Sequence, residues 1–353
     1  MKFVAFTAPL LAAAFILSSC QTTQTKLVPA NDARFAYQGR IQATDTASHE
    51  IVWQSTGIAI DFEGDSLAFD FSDLQGQVYF DLTIDDATTI LTAANGTIPS
   101  PVPLSKGRHS LSLVKRSEAS AGTVRFNGIH IPSTADAQAP ANVTQHTAPK
   151  LLFFGDSITA GACNEDGPSD QWDDRSTHNA NKSYAALTAK KLGADYQNIA
   201  VSGMGISMGY TEHTFPQIWN RAAPSPDAPL ADLSSYQPDL LFVNLGENDD
   251  SFSKNQSLPF PADYADRYID MVRQMRVAYP NAKIILLRGG MFGGSQSERL
   301  IPQWEKVVAT LEAEDSKLTH YAFQHWSSTH PRVADTEIMA SELAAWIRAE
   351  NLL

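Results

Sequence analysis

The chain has 353 residues, a length that suits two domains of roughly 150 residues each. Hydrophobic residues make up 43% and charged residues 18% of the chain, so it can bury a core and is not disordered as a whole. The formal net charge of −13, from 26 Lys and Arg against 39 Asp and Glu, disfavours a nucleic-acid binder, because binding phosphates requires a basic face.

The N-terminal 19 residues have the pattern of a secretion signal. Lys2 is followed by an apolar run of 14 residues, 3–16, which is too short to span a membrane comfortably. The run ends in Leu17-Ser18-Ser19-Cys20, which resembles the lipobox of bacterial lipoproteins. We therefore expect a lipoprotein signal peptide over 1–19 and lipidation of Cys20; an ordinary signal with a chance cysteine is the alternative.

Lipidation would anchor the mature chain in the bacterial cell envelope. Gln21 rather than Asp follows the cysteine, which favours the outer membrane over retention at the inner one. Polar residues at 20–32 predict a tether. Cys163 would then be the one free thiol, and two cysteines in all are too few for a disulfide framework or a zinc cluster.

Residues 33–132 alternate apolar and polar side chains, as in Ile58, Ile60 and Phe62. Turn signals such as Asn95-Gly96 separate these short segments. The pattern predicts an all-β, jelly-roll-like sandwich domain. Residues 133–149 are rich in Ala, Pro, Thr and Ser without periodicity, which predicts a linker.

Residues 150–353 follow a different pattern. Short apolar runs predict strands buried on both faces, and segments with apolar residues at helical spacing lie between them. This alternation predicts an α/β/α domain with a mostly parallel sheet. The clearest runs are Leu151-Leu152-Phe153-Phe154, Leu240-Leu241-Phe242-Val243 and Ile284-Ile285-Leu286-Leu287, with weaker ones near 196–201 and 318–323.

The residues after these strands have the types that acyl transfer requires. In open parallel sheets, sites form at the carboxyl ends of strands. A serine oxygen needs a base such as histidine to take its proton. The oxyanion needs fixed donors, which a glycine N–H and an asparagine amide can supply. The candidates are Ser157, Gly203, Asn248 and His330.

These blocks, in this order, resemble the SGNH (GDSL-type) hydrolase superfamily. They are Gly155-Asp156-Ser157, Gly203, Gly246-Glu247-Asn248-Asp249 and His330. The sequence contains no Gly-x-Ser-x-Gly or His-Glu-x-x-His motif, which disfavours the nucleophile-elbow hydrolases and the zincins.

The sandwich, together with the block Gly155-Asp156-Ser157-Ile158-Thr159-Ala160-Gly161 that follows it, also resembles family 2 of the carbohydrate esterases. The matching pieces are Gly39-Arg40, Val114-Lys115-Arg116-Ser117-Glu118, Ser183-Tyr184-Ala185-Ala186 and Val201-Ser202-Gly203-Met204-Gly205. The resemblance implies removal of acetyl groups from xylan, glucomannan or a similar polysaccharide, without a metal or cofactor. It implies Ser157 as nucleophile and His330 as base. The implied oxyanion hole consists of the N–H groups of Ser157 and Gly203 and the Asn248 side chain.

One position departs from the superfamily pattern. An Asp is usual three residues before the histidine, but Ser327 stands there, and no carboxylate occurs between Asp315 and Asp335. We therefore expect a Ser157–His330 dyad, with the ring held by a main-chain carbonyl or a serine hydroxyl. A carboxylate from elsewhere, such as Glu247 or Asp335, is the alternative.

Several nearby residues have competing interpretations. His325 is a rival base, Cys163 is interpreted as a packing residue, and the five acids within 165–174 as a solvated loop that could border the site. Trp172 and Trp326, in predicted site loops, are candidates for stacking on sugar rings.

Three other functions remain open from the sequence. A lipase or thioesterase of the same superfamily predicts a wide apolar trough. A non-catalytic carbohydrate-binding surface lipoprotein is motivated by the missing acid. An acetyltransferase acting on a glycan would form the same acyl-enzyme.

Overall fold

The structure is a computed structural model, and it describes Met1 and residues 24–43, 47–140 and 148–353. Residues 2–19 of the predicted signal peptide and the predicted lipidation site, Cys20, lie outside the described residues. Two regions follow one another along the chain, an antiparallel β region and then a parallel α/β region.

The N-terminal region forms two antiparallel sheets within the described ranges. One sheet has the order β3-β4-β11-β6-β9, with β1 paired to β11, and the other has the order β12-β5-β10-β7-β8, with β2 paired to β5. The strands are β1 (Thr25–Pro29), β2 (Ala36–Gln38), β3 (Gln42–Ala43), β4 (His49–Ile51), β5 (Gly57–Gly64), β6 (Ala68–Gly76), β7 (Tyr79–Ile84), β8 (Ala87–Thr92), β9 (Gly96–Pro99), β10 (Gly107–Lys115), β11 (Gly122–Pro132) and β12 (Ala137–Gln138).

Alternating side chains from both sheets form one core between them, which confirms the predicted two-layered β domain. Ile60 of β5, Phe71 of β6, Leu82 of β7 and Phe126 of β11 are all buried in the same cluster. Alternation places these residues on the inner face, because successive side chains of a strand point to opposite faces.

The strands at both ends of this domain differ from the sequence prediction. Thr25–Pro29, within the predicted tether of 20–32, is β1, paired antiparallel with β11. Ala137–Gln138, within the predicted linker of 133–149, is β12, paired with β5. Both are short, with few buried side chains, so their pairing rests on main-chain hydrogen bonds that leave no hydrophobic period in the sequence.

The C-terminal region is built on an all-parallel sheet of order β14-β13-β15-β16-β17. Its strands are β13 (Lys150–Gly155), β14 (Asp195–Ala200), β15 (Leu240–Asn244), β16 (Lys283–Met291) and β17 (Leu318–Ser327). Its helices are α1 (Ser157–Ala160), α2 (Tyr184–Leu192), α3 (Glu247–Asn255), α4 (Tyr264–Ala278), α5 (Phe292–Gln296), α6 (Leu300–Glu314) and α7 (Val333–Ala349).

Helices cover both faces of this sheet, which confirms the predicted α/β/α layering. Phe154 of β13 packs in the cluster that includes α4 and α6, whereas Phe153 packs in the cluster that includes α2 and α7. Strands buried on both faces read as continuous apolar runs, which is why the sequence revealed them. Among the described residues, no helix combines the length and hydrophobicity needed to cross a membrane.

The two regions share a buried interface. Val52, Trp53 and Ala119 of the sandwich belong to the same hydrophobic cluster as one face of the parallel sheet. The Trp53 indole Nε1 donates to Ala222 O at 2.8 Å, and Arg40 NH1 donates to Trp219 O at 2.8 Å. The sandwich is therefore packed directly against the α/β domain.

Candidate active site

Ser157 lies directly beyond the carboxyl end of β13, at the first residue of the short helix α1. Asp156 caps this helix, because its Oδ1 accepts a hydrogen bond from Ile158 N at 3.1 Å. Gly155 packs closely here, since a Cβ added to it would lie 2.1 Å from Thr159 Oγ1. The turn therefore presents the Ser157 side chain at the edge of the sheet, where β15 also ends.

The structure brings Ser157 and His330 together although 173 residues separate them. His330 Nε2 lies 2.9 Å from Ser157 Oγ. His330 precedes α7, and Ser157 is only 4% exposed. This distance lets the imidazole accept the serine proton directly.

The predicted dyad is wrong, because a carboxylate occupies the other side of the imidazole. Asp170 Oδ2 lies 2.7 Å from His330 Nδ1 and 3.3 Å from His330 N. Neither proposed alternative acid reaches the ring: Glu247 accepts hydrogen bonds from Gly293 N and Gly294 N, and Asp335 binds His325 Nε2 at 2.7 Å. Ser157, His330 and Asp170 form a Ser–His–Asp arrangement.

Arg332 holds Asp170 in place. Its NH1 donates to Asp170 Oδ1 at 2.8 Å, to His330 O at 2.8 Å and to Cys163 O at 3.0 Å. Its Nε donates to Gly167 O at 2.9 Å. One guanidinium thus joins the loop that carries Asp170 to the segment that carries His330.

These contacts also set the charge of Asp170 and the tautomer of His330. Partial burial by itself would raise the pKa of Asp170, but hydrogen bonds from His330 and Arg332 outweigh it and hold the pKa well below its usual range. An ionised carboxylate can only accept hydrogen bonds. His330 Nδ1 therefore carries the proton, which leaves Nε2 as the acceptor for Ser157.

The turn after β14 carries Gly203. This glycine has φ +80°, in the left-handed region that favours glycine. Asp249 of α3 holds the following residues, because its carboxylate accepts hydrogen bonds from Ile206 N, Ser207 N and Met208 N at 2.7–3.1 Å. Burial raises the pKa of Asp249 to about 6, although the three hydrogen bonds act to lower it.

Asn248 is the second residue of α3, beside this turn, and is buried. Its Nδ2 lies 3.1 Å from Met204 O and 3.3 Å from Asp156 Oδ2. Burial is the main cause that raises the pKa of Asp156 well above its usual range, and the nearby Glu247 carboxylate adds to the rise. The Asn248 amide is therefore oriented by one main-chain oxygen and one side chain whose negative charge is suppressed.

The predicted rival residues have other partners. His325 pairs with Asp335, as described above, and within the described part of the chain no hydrogen bond joins it to Ser157. Cys163 is buried, and its Sγ lies 3.5 Å from both Gln171 O and His178 Nε2. Burial and the adjacent acids raise the pKa of its thiol, which keeps it protonated and unreactive.

Two groups of side chains near Cys163 could supply three metal ligands each, namely Cys163 with Asp166 and His178, and Cys163 with Asp170 and His330. In the second group, Asp170 and His330 bind one another and Arg332 already donates to Asp170. In the first, Asp166 accepts from Gln171 N. Several of these ligand atoms thus already have hydrogen-bond partners within the protein.

Ser157, Gly203, Asn248 and His330 line one cavity of about 580 Å³. Trp172 also lines it and packs edge-on against His330, with ring centroids 5.2 Å apart. Trp326 does not line this cavity within the described chain; it packs against Phe292 instead, with ring centroids 6.2 Å apart. The cavity wall combines polar and apolar groups, and its other residues are Ser120, Arg175, Ser202, Tyr210, Thr211, Glu247, Ser251 and Met291.

Two site residues, Asp170 and Arg332, were missed by the sequence analysis. Asp170 lies in the acid-rich loop 165–174, which the sequence pattern predicts to be a solvated loop that could border the site. The available signal was its position, because the loop follows the serine block and so starts at the carboxyl edge of the sheet. Five acids within ten residues gave no means of choosing between them.

Comparison with known protein families agrees with this geometry. Residues 37–140 match the carbohydrate esterase 2 N-terminal family, and residues 153–342 match the GDSL-like lipase/acylhydrolase family. The two matched segments correspond to the antiparallel and the parallel region of the structure.

Two curated proteins are similar over most of the chain. An acetylxylan esterase / glucomannan deacetylase of Cellvibrio japonicus is 27% identical, over 96% of each chain. The cellulase/esterase CelE of Acetivibrio thermocellus is 30% identical over 88% of this chain, but the chain spans only 39% of that protein.

A solved structure shows the same two-domain arrangement. A family two carbohydrate esterase from Clostridium thermocellum, in complex with cellohexaose, aligns with a TM-score of 0.77 at 26% identity. The alignment covers 90% of this chain and 100% of the other.

Proposed function

The chain belongs to the GDSL-like lipase/acylhydrolase family, and from that premise we propose that it is a serine esterase that removes O-acetyl groups from a plant or algal polysaccharide. The single observation that carries the proposal is the hydrogen-bonded series from Ser157 Oγ through His330 to Asp170, whose serine and histidine line one cavity. The similarity to acetylxylan esterases supports the substrate class.

The proposed reaction begins at Ser157. His330 Nε2 takes the proton of Ser157 Oγ as the oxygen attacks the acetyl carbonyl carbon. Asp170 stabilises the imidazolium that forms and keeps the ring in the required tautomer. As the bond between the carbonyl carbon and the sugar oxygen breaks, the imidazolium gives its proton to that oxygen, and an acetyl-serine remains.

The second half of the reaction releases acetate. His330 takes a proton from a water molecule, which attacks the acetyl-serine carbonyl carbon. The bond to Ser157 Oγ then breaks, the imidazolium gives its proton to that oxygen, and acetate leaves. In both halves a negative charge develops on the carbonyl oxygen. We assign its stabilisation to the N–H groups of Ser157 and Gly203 and to the Asn248 amide, which line the same cavity.

The cavity favours a sugar ester over a long-chain acyl ester. A lipase or thioesterase would need a continuous apolar trough, whereas hydroxyl, guanidinium and carboxyl groups interrupt the apolar parts of this wall. Trp172, which is 39% exposed and lies beside His330, offers a flat ring on which a sugar can stack. The non-catalytic alternative was based on the absence of an acid shortly before His330 in the sequence. Asp170 supplies that acid from another loop.

The test is acetate release from acetylated xylan and acetylated glucomannan by the wild-type chain and by Ser157→Ala. We expect release from at least one polysaccharide, and none above background with the folded variant, because the acyl-enzyme cannot form. A Ser157→Ala variant as active as wild type would refute the assignment. Wild-type cleavage of long-chain esters with no acetate released from polysaccharide would favour the lipase instead.

The same reaction run with an unacetylated oligosaccharide present separates hydrolysis from acetyl transfer. Free acetate is expected as the main product. An acetylated oligosaccharide as the main product would make the chain a transferase.

We also propose that the chain is lipid-anchored through Cys20 in a bacterial cell envelope, on the periplasmic or surface side of the outer membrane. The support is the sequence Leu17-Ser18-Ser19-Cys20 after an apolar run. Labelling with a radioactive fatty acid should mark the wild-type chain and leave Cys20→Ala unlabelled. Equal labelling of both chains, or of neither, would contradict the anchor.

A further inference from the structure

Glu118 is a carboxylate of the sandwich domain that is completely buried. It follows β10 and has 0% of its surface exposed. A buried carboxylate is costly unless hydrogen bonds and charges compensate it. Its compensating partners therefore show what the residue holds in place.

All three partners of its carboxylate belong to the α/β domain. Oε2 accepts a hydrogen bond from Ser202 N at 3.0 Å. Oε1 accepts one from Arg175 NH1 at 3.2 Å and lies 3.8 Å from His178 Nδ1. Burial alone would raise the pKa of Glu118, but the nearby His178 imidazole and the hydrogen bond from Ser202 N lower it below its usual range, so the group is ionised near neutral pH.

These partners lie in two different segments of the active site. Ser202 directly precedes Gly203, whose N–H we assign to the oxyanion hole. Arg175 and His178 belong to the segment that follows Asp170, and both contact Trp172: the guanidinium carbon of Arg175 lies 4.9 Å from the Trp172 ring centroid, and the His178 ring 5.2 Å from it. Trp172 in turn packs on His330.

The turn that carries Glu118 is itself fixed within the sandwich. Lys115 Nζ donates to Val52 O, Gly122 O and Glu118 O at 2.6–3.3 Å. Ala119 N donates to Gln54 Oε1 at 3.1 Å. These hydrogen bonds within the sandwich fix the position of the turn that carries Glu118.

From this arrangement we propose that Glu118 is a positioning residue of the esterase reaction, through which the sandwich domain holds the Gly203 turn and the Asp170–Trp172 loop in register around Ser157. The inference rests on the proposed esterase function. It assigns the N-terminal domain a direct part in transition-state geometry, in addition to any part in binding polysaccharide.

The test compares Glu118→Gln and Glu118→Asp with Glu63→Gln, the same substitution at an exposed position of the sandwich. The substrate is p-nitrophenyl acetate, which is too small to depend on distant sugar contacts. Gln keeps the shape but has one acceptor oxygen in place of two. Asp keeps the charge but is one methylene shorter, so it cannot reach Ser202 N and Arg175 together.

We expect Glu118→Gln to lower kcat on the order of 10–100-fold with KM little changed, because displacements of about 1 Å at a reacting centre cost up to about 10²-fold. Glu118→Asp should show a smaller loss, and Glu63→Gln none. Wild-type kcat in both folded Glu118 variants, or a change confined to KM or to melting temperature, would overturn the proposal.

Failure to fold in both Glu118 variants would also overturn it, since Glu118 would then serve stability alone. The wild-type control separates this inference from the function it rests on. If the wild-type chain does not cleave p-nitrophenyl acetate, the proposed esterase fails. If it does, and the Glu118 variants match it, only the positioning role fails.

Discussion

At the scale of single residues, the site depends on side chains that are far apart in sequence and meet at one sheet edge. The serine, glycine, asparagine and histidine could be predicted, because each follows a recognisable strand. Asp170 could not, because its partner His330 lies 160 residues further along the chain. A carboxylate that reaches its histidine from an irregular loop leaves no spacing for a motif to record.

Asn248 provides a residue-scale test of the oxyanion assignment. Asn248→Ala should lower kcat on the order of 10²–10³-fold with KM little changed, because one donor to the developing negative charge is removed. Steady-state kinetics on p-nitrophenyl acetate measures this, with Asn281→Ala as an exposed control. A change confined to KM would mean that Asn248 positions the substrate instead.

At the scale of elements, strands buried on both faces were predicted well, whereas short edge strands were not. Leu151 to Phe154 are all fully buried, so this strand could be recognised in the sequence as an uninterrupted apolar run. Thr25–Pro29 has one buried residue, Val28, and pairs through its backbone. Edge pairing of this kind is decided by the neighbouring strand and not by the segment's own residues.

A carboxylate of α3, Asp249, holds the loop after β14, and its contribution can be tested. Asp249 accepts three main-chain hydrogen bonds with its two oxygens. Asp249→Asn replaces one acceptor oxygen by an NH₂ group, so at least one buried N–H loses its partner. We expect a loss of about 1–3 kcal/mol in the free energy of unfolding.

Urea unfolding of Asp249→Asn checks this value, with Asp266→Asn as the control, because the Asp266 side chain is 76% exposed. Equal stability of the two variants would mean that the loop is held by its own main-chain contacts. A loss in the exposed control as large as that at Asp249 would point to a general charge effect.

At the scale of the whole molecule, the sandwich is part of the catalytic unit. The sequence predicted two domains and a linker, but nothing in its periodicity indicated that they share a core. The sandwich residues at this interface include Arg40, Trp53, Arg116 and Glu118. Interface residues contact the other domain, so their positions follow neither the two-residue period of a strand nor the 3.6-residue period of a helix.

This shared core predicts cooperative unfolding of the two domains. The wild-type chain should unfold in one transition, and Trp53→Ala should lower the free energy of unfolding by about 3–5 kcal/mol, because a fully buried indole is lost. Denaturant unfolding followed by circular dichroism measures both. Trp326→Ala, at a 37% exposed tryptophan, is the control and should cost about 1 kcal/mol or less.

Two well-separated transitions in the wild-type chain would contradict the shared core. So would a Trp53→Ala loss no larger than that of the exposed control. Either result would mean that the domains are stable independently and that their contacts add little.

The central claim is that Asp170 completes a Ser–His–Asp triad from an unexpected place in the chain. The most direct measurement is kcat of Asp170→Asn on p-nitrophenyl acetate, beside Asp173→Asn, the same change at an exposed acid of the same loop. We expect Asp170→Asn to lose on the order of 10³–10⁴-fold in kcat, because the amide cannot stabilise the imidazolium or fix its tautomer, and Asp173→Asn to stay near wild type. A folded Asp170→Asn variant with wild-type kcat would contradict the triad and restore the dyad.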